Sequence, residues 1–299
     1  MIFNLTKMIS NWLKFWFTLM ISVMSLLGLM MSSSWLMIWL FLEMNLMSIM
    51  PLLSFSVIYY FIIQSLGGMI FLFGSINKEM LFLMIGLMIK LAIFPFSFWV
   101  PTIINDAPWM GGALLSSVGK LMPLFTLLNF KMMNNSIFFF ITVMWGSFYG
   151  VFQTKVKKIL ACSSVSHTGW LSMLLTLKIK NNIIYFISYF PLIFMLFLIS
   201  KNSSNKYWKS LSYNKLTLLT ILLILSGLPP FSGMWAKILT FMAFSFMPNM
   251  FFIMFFIMSA FNLFFYFKII IGFMSNKYLK MNFKDMIFSL SLMVPQFII

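Results

Sequence analysis

Residues 80–99 read Met80-Leu-Phe-Leu-Met-Ile-Gly86-Leu-Met-Ile-Lys90-Leu-Ala-Ile-Phe-Pro95-Phe-Ser97-Phe-Trp99. At a helical rise of about 1.5 Å per residue this stretch reaches about 30 Å, the thickness of a bilayer's hydrocarbon core. It lacks two-residue alternation, so it reads as a helix and not as a barrel strand. One charge, Lys90, stands in its middle, and Pro95 removes a backbone donor nearby. A charge at the centre of a spanning helix costs about 2.5–3.5 kcal/mol on insertion scales. The best-attested use of such a residue is a path for ions or protons inside a helical bundle.

Similar runs recur from end to end. The chain has 299 residues, is 62% hydrophobic and 8% charged, and has a mean hydropathy of +1.03. Backbone groups in lipid must be satisfied internally, which leaves helices or a closed barrel, and continuous runs favour helices. The expected fold is therefore an all-α polytopic membrane protein. About eleven transmembrane helices are expected, at about 12–31, 35–53, 57–74, 80–99, 111–129, 135–154, 156–177, 182–200, 216–246, 249–272 and 286–299. The longest polar connection runs only from Lys201 to Lys215, so residues 1–299 form a single transmembrane bundle. The run 216–246 would reach about 46 Å as one helix, too long for a single crossing. Gly227, Pro229, Pro230 and Gly233 within it predict a broken helix.

The lysines give this count an independent check. With eleven spans the connections alternate sides. Lys7, Lys155, Lys157, Lys158, Lys201, Lys206, Lys209, Lys215, Lys277, Lys280 and Lys284 fall on one side; Lys78, Lys131, Lys178 and Lys180 fall on the other. Short loops rich in lysine stay on the side of synthesis, so the N-terminus belongs to the lysine-rich face and the C-terminus to the opposite one. Lys14 and Lys268 lie near span ends and can snorkel to that face.

Three further ionisable residues share the position of Lys90 in mid-span: Glu43, Lys120 and Lys237. A lone Glu43 could serve as a helix–helix hydrogen-bonding group, but a titratable proton site beside a lysine is the stronger reading. Asn45, two residues on, points elsewhere. A lysine held in an apolar bundle is a group that can exchange a proton, although Lys90 could also be paired statically with an acid. Carbonyls freed by Pro95 near Lys90 could hold water or accept its protons. Ser116 and Ser117 share a helix face with Lys120, and Pro123 weakens the helix beside it. Lys237 stands two turns past the Pro229-Pro230 break. Twice, then, a buried lysine accompanies an interrupted helix, the arrangement that marks a transport site near the midplane. Residues 153–170 form the most polar span, with Lys157, Ser164 and His167 on one face. His167 is either a proton relay or a structural hydrogen-bonding residue.

Composition also excludes functions. The formal charge of +16 comes entirely from 20 lysines set against four acids, and those lysines lie between apolar spans, where they meet anionic headgroups. A nucleic-acid interface needs its charge on a soluble face, so nucleic acid is not a partner. With one cysteine, Cys162, one histidine and four acids, no metal, haem or iron–sulfur site is expected in this chain. The absence of arginine beside 39 Phe and 31 Met suggests an A+T-rich genome such as that of an animal mitochondrion.

Several of these segments together resemble the subunit 2 family of mitochondrial NADH–ubiquinone oxidoreductase, respiratory complex I. They are Leu42-Glu43-Met44-Asn45, Lys90 with Pro95-Phe96 and Phe98-Trp99-Val100-Pro101, and Lys120 with Pro123. They continue with Gln153-Thr154 through Lys158-Ile159-Leu160-Ala161 to Ser163-Ser164, His167 and Gly169-Trp170, then Gly227-Leu228-Pro229-Pro230 with Gly233 and Lys237. Ser97 stands where that family usually has histidine, Val118-Gly119 where it has Trp-Gln, and Tyr59 where lysine is common. The resemblance implies an antiporter-like fold of two inverted five-helix repeats with broken helices: the first over about 12–129, the second over about 135–272, and a C-terminal helix at about 286–299. It implies that Glu43 pairs with Lys90, that Lys120 is a central bridge, and that Lys237 leads to the outlet. It implies proton translocation across the inner mitochondrial membrane, with the N-terminus in the matrix and the C-terminus in the intermembrane space. Other membrane-arm subunits would be partners, with phospholipids such as cardiolipin. NADH, FMN, iron–sulfur clusters and ubiquinone would act in other subunits, leaving no cofactor here. A stand-alone cation/proton antiporter is the alternative, and a passive membrane scaffold a third reading.

Overall fold

The computed structural model describes residues 2–54, 56–129, 136–176, 182–200, 215–228, 233–234, 237–238, 241–242 and 249–274. Among these residues there is no strand. By Cα proximity the chain divides into two units, Met1–Lys131 and Met132–Ile299. The first carries α1 (Ile2–Met31), α2 (Trp35–Ile49), α3 (Val57–Asn77), α4 (Met80–Leu91), α5 (Trp99–Asp106), α6 (Trp109–Ser116) and α7 (Val118–Asn129). The second carries α8 (Ser136–Phe152), α9 (Val156–Thr176), α10 (Asn182–Ser200), α11 (Lys215–Ser226) and α12 (Asn249–Met274).

Among the described residues six helical stretches are long and apolar enough to cross a membrane: Leu13–Met31, Trp35–Leu52, Val57–Asn77, Met80–Asp106, Trp109–Leu128 and Ile253–Ile271. Ile137–Phe152, Ser188–Ser200 and Thr217–Ser226 are apolar but shorter. α9 has 21 residues, but its lysines, serines, threonines and His167 keep it out of that group. The expected last span, 286–299, and Pro229-Pro230 lie outside the described residues. α1 begins at Ile2, well before the boundary expected at about 12.

Among the described residues of the first unit, two expected spans are interrupted. α4 ends at Leu91, one residue past Lys90. Ala92 turns left-handed at φ 59°, its N–H donates to the Ile89 carbonyl at 3.2 Å, and the Ile93 N–H reaches the Met88 carbonyl at 2.9 Å. That pair of bonds is a Schellman stop, a motif usually built on glycine. The chain then passes through the cis Phe94–Pro95 bond and a 3₁₀ turn, Phe96–Phe98, into α5. The second interruption was not expected where it occurs. Residues 111–129 do not form one helix weakened at Pro123; the helix breaks at Ser117 (φ −108°, ψ −85°), between α6 and α7. Pro123 is tolerated inside α7.

Ala92 is fully buried in its left-handed conformation. Left-handed backbone costs an L-residue about 1–3 kcal/mol, more when the side chain branches at Cβ. Ala92→Val is expected to lower the stability of the assembled protein by about 2 kcal/mol, while Ala92→Gly is tolerated. Heat inactivation of the two variants compares them directly, and equal half-lives would contradict the assignment.

Candidate functional site

In the first unit α2, α3 and α4 meet around one ion pair. Lys90 Nζ lies 2.9 Å from Glu43 Oε1, with the lysine side chain 2% exposed and the glutamate 22%. The pair fits because α3 presents Gly68 there. A Cβ on Gly68 would collide with the Glu43 carboxylate and sit 3.4 Å from Lys90 Nζ. Tyr60, also from α3 and buried, is within electrostatic reach of Glu43, and its ring lies 6.0 Å from that of Trp99. The Trp99 indole N–H donates to the Ile89 carbonyl at 3.1 Å. The Ile89 carbonyl thus accepts from both the Ala92 amide and the Trp99 indole where α4 stops, and the Lys90 ammonium donates to the Glu43 carboxylate. This replaces the expectation that freed carbonyls would receive the lysine. Ser97 is fully buried, and among the described residues its hydroxyl has no hydrogen-bond partner.

Lys120 is the second deeply buried cation of this unit, 1% exposed. The break at Ser117 places it in the first turn of α7, where its own N–H donates to the Ser117 carbonyl at 3.1 Å. Ser116 and Ser117 do not turn their hydroxyls toward it: both donate to the Ala113 carbonyl, at 3.1 and 2.6 Å. Asn45, passed over in the sequence, contacts this turn. Its side-chain amide lies 3.5 Å from the Gly119 carbonyl.

In the second unit Lys157, Ser164 and His167 all lie buried on α9, Lys157 in its first turn. The Ser164 hydroxyl donates to its own helix at Ala161, 2.8 Å away. His167 Nδ1 lies 2.7 Å from the Tyr185 hydroxyl, and its ring stacks on Tyr189 with centroids 4.3 Å apart. These tyrosines stand one turn apart on α10, a spacing that puts both on one face. That polar (i, i+4) pair in an apolar helix was the available signal, and sequence reasoning missed it.

His167, Tyr185, Ser188, Tyr189 and Lys237 line one cavity of about 20 Å³. That is room for about one water molecule. Lys237 Nζ donates to the Ser226 carbonyl, the last of α11. A helix C-terminus leaves its carbonyls without amide donors and carries the negative end of the dipole, so it holds a cation. The approach depends on Gly227, which is left-handed at φ +70°. A Cβ there would fall 2.8 Å from Lys237 Cδ and 2.9 Å from its Nζ. Lys268 makes a similar cap: its ammonium donates to the Val151 and Gln153 carbonyls, 3.1 and 3.0 Å away, at the end of α8.

The structure thus brings Glu43 to Lys90 and His167 to Lys237, each within one unit. The family model for the NADH:quinone oxidoreductase/Mrp antiporter transmembrane domain matches residues 75–262. NADH-ubiquinone oxidoreductase chain 2 of Lumbricus terrestris is 31% identical over 286 residues, covering 88% of this chain and 81% of its own length. Chain 2 of Didelphis virginiana is likewise 31% identical, over 298 residues, with 89% and 81% covered. Among solved structures, a chain of respiratory complex I from Thermus thermophilus matches with a TM-score of 0.83 at 18% identity, covering 95% of this chain and 77% of that one. A chain of the Mrp complex from a Dietzia species matches with a TM-score of 0.75 at 15% identity, with 85% and 59% covered. At such identities these two likenesses concern the fold. The chain 2 relatives match at 31% identity over 88–89% of this chain and 81% of their own length, and so this chain belongs to the NADH-ubiquinone oxidoreductase chain 2 family.

Proposed function

We propose that this chain is a proton-translocating membrane subunit of NADH:ubiquinone oxidoreductase, and that Glu43, Lys90, Lys120, His167 and Lys237 carry its protons. The observation that carries the reading is the Glu43–Lys90 ion pair, its lysine buried and its glutamate partly buried among three apolar helices. Burying two charges costs several kcal/mol that their attraction barely returns, so such a pair is poor scaffolding. It is good machinery, because one proton added to the glutamate or lost from the lysine dissolves it. The second unit supplies an ionisable ring, two phenols and a lysine around space for one water, the elements of a proton wire. Near-full-length likeness to chain 2 relatives favours this reading over a stand-alone antiporter, which shares the fold.

The chain sits in the inner mitochondrial membrane as a multi-pass protein, with other membrane-arm subunits as partners. Its eleven spans form two inverted five-helix repeats over about 12–129 and 135–272, and a last helix at about 286–299 follows them. The lysine asymmetry supports an N-terminus in the matrix and a C-terminus in the intermembrane space. Anionic lipid, cardiolipin included, meets the lysine-rich face. NADH, FMN, iron–sulfur clusters and ubiquinone act in other subunits, and this chain holds none of them.

Lys120 tests the proposal most sharply. A carrier must change its protonation state, whereas a fixed charge need only remain charged. Lys120→Met is expected to lower NADH-driven proton pumping by about 100-fold in an assembled complex. Lys120→Arg keeps the charge but holds its proton, so it is expected to fail as well. An arginine variant that pumped normally in reconstituted vesicles would make Lys120 a fixed charge and remove it from the relay.

A further inference from the structure

Pro123 lies inside α7, where residue 123 would ordinarily donate its N–H to the carbonyl of residue 119. Proline has no such donor, so the Gly119 carbonyl, next to Lys120, is left open within a buried segment. The side chain that reaches it comes from another helix. Asn45 of α2 is 4% exposed, and its Nδ2 lies 3.5 Å from the Gly119 oxygen, a long hydrogen bond. Only the amide nitrogen can face that oxygen, because a carbonyl accepts and does not donate. The amide oxygen, also buried, has no hydrogen-bond partner among the described residues, so no second bond holds the side chain.

The location of Asn45 gives this contact its meaning. It stands two residues after Glu43 on the same helix, and Glu43 holds Lys90. One rigid helix therefore grips an ion pair through one side chain and the turn carrying Lys120 through another. The turn needs such a grip, because its preceding helix has stopped at Ser117 and its own ladder lacks the bond that Pro123 cannot make.

We propose that Asn45 is a positioning residue for Lys120, replacing the backbone donor that Pro123 lacks and fixing the Lys120 turn to the helix that carries Glu43. The inference rests on Lys120 carrying protons. It differs from ordinary packing in one respect: restoring the backbone donor makes the amide dispensable.

Asn45→Leu removes the donor at similar volume and is expected to lower NADH-driven pumping by the assembled complex about tenfold. Pro123→Ala returns an N–H to position 123. Placed together with Asn45→Leu, it is expected to bring pumping back to within about threefold of the parent. A packing role for Asn45 predicts no rescue. If Asn45→Leu prevents assembly, recovery of assembly by Pro123→Ala supports the inference, and no recovery overturns it. Parental pumping by Asn45→Leu, or a double variant no better than Asn45→Leu alone, also overturns it. Lys120→Met is measured alongside. If Lys120→Met stops pumping and Asn45→Leu does not, the positioning role falls and the relay stands. If Lys120→Met pumps normally, the relay falls and takes the positioning role with it.

Discussion

Glu43→Gln should cost the assembled complex about 3–5 kcal/mol of stability or drive, because it strands a buried Lys90 without its anion. The lysine is almost wholly enclosed, and its ammonium touches Glu43 at 2.9 Å. Lys90→Met should be damaging in its turn, since it leaves the carboxylate beside apolar side chains. The two changes together should cost clearly less than their sum, because the double variant strands nothing. Gly68→Ala provides an independent arm. Its methyl occupies the place of the Glu43 carboxylate, so it should reproduce the defect of Glu43→Gln while both charges remain in the sequence. Pumping rate and heat inactivation of the complex are the measurements. Strict additivity in the Glu43/Lys90 cycle would show that the two groups do not act as a pair.

A comparably large effect is expected at Gly227. A side chain there must adopt φ +70°, which costs about 1–3 kcal/mol, and must displace the Lys237 side chain. Gly227→Ala should therefore pump as poorly as Lys237→Met, although the lysine is still present. Adding Gly227→Ala to Lys237→Met should then change little, because the lysine it displaces has already gone. If Gly227→Ala pumped at the parental rate while Lys237→Met was silent, the lysine would not need the position seen here.

Reading the sequence located the residues better than it located their partners. The interruption beside Lys90 could be seen because Pro95 leaves a chemical mark, whereas the break expected at Pro229-Pro230, two turns before Lys237, lies outside the described residues. The break at Ser117 carries no such mark. Serine is compatible with a helix, and the interruption depends on the packing of the surrounding helices, which a linear pattern does not encode. Polar side chains were harder still. Spacing put Ser116 and Ser117 near Lys120, but a buried hydroxyl in an apolar helix satisfies itself on its own backbone, as Ser164 also does. Conversely, Asn45 was set aside for facing away from Glu43, and that direction is the one that brings it to Gly119. Lys268, expected to reach for the membrane surface, finds its partners in the carbonyls at the end of α8. In each case the sequence states which groups need partners, and the tertiary arrangement decides which partner is near enough.

Lys90 and Lys237 are anchored by different chemistry. Lys90 is held by an opposite charge, and that hold weakens as soon as either member becomes neutral. Lys237 is held by the Ser226 carbonyl, and a carbonyl accepts a hydrogen from an ammonium or from a neutral amine alike. A proton can therefore arrive at or depart from Lys237 while its nitrogen stays moored in place. In the proposed relay, one lysine would work as a clasp that springs open on titration, and the other as a fixed post past which protons travel without any moving part.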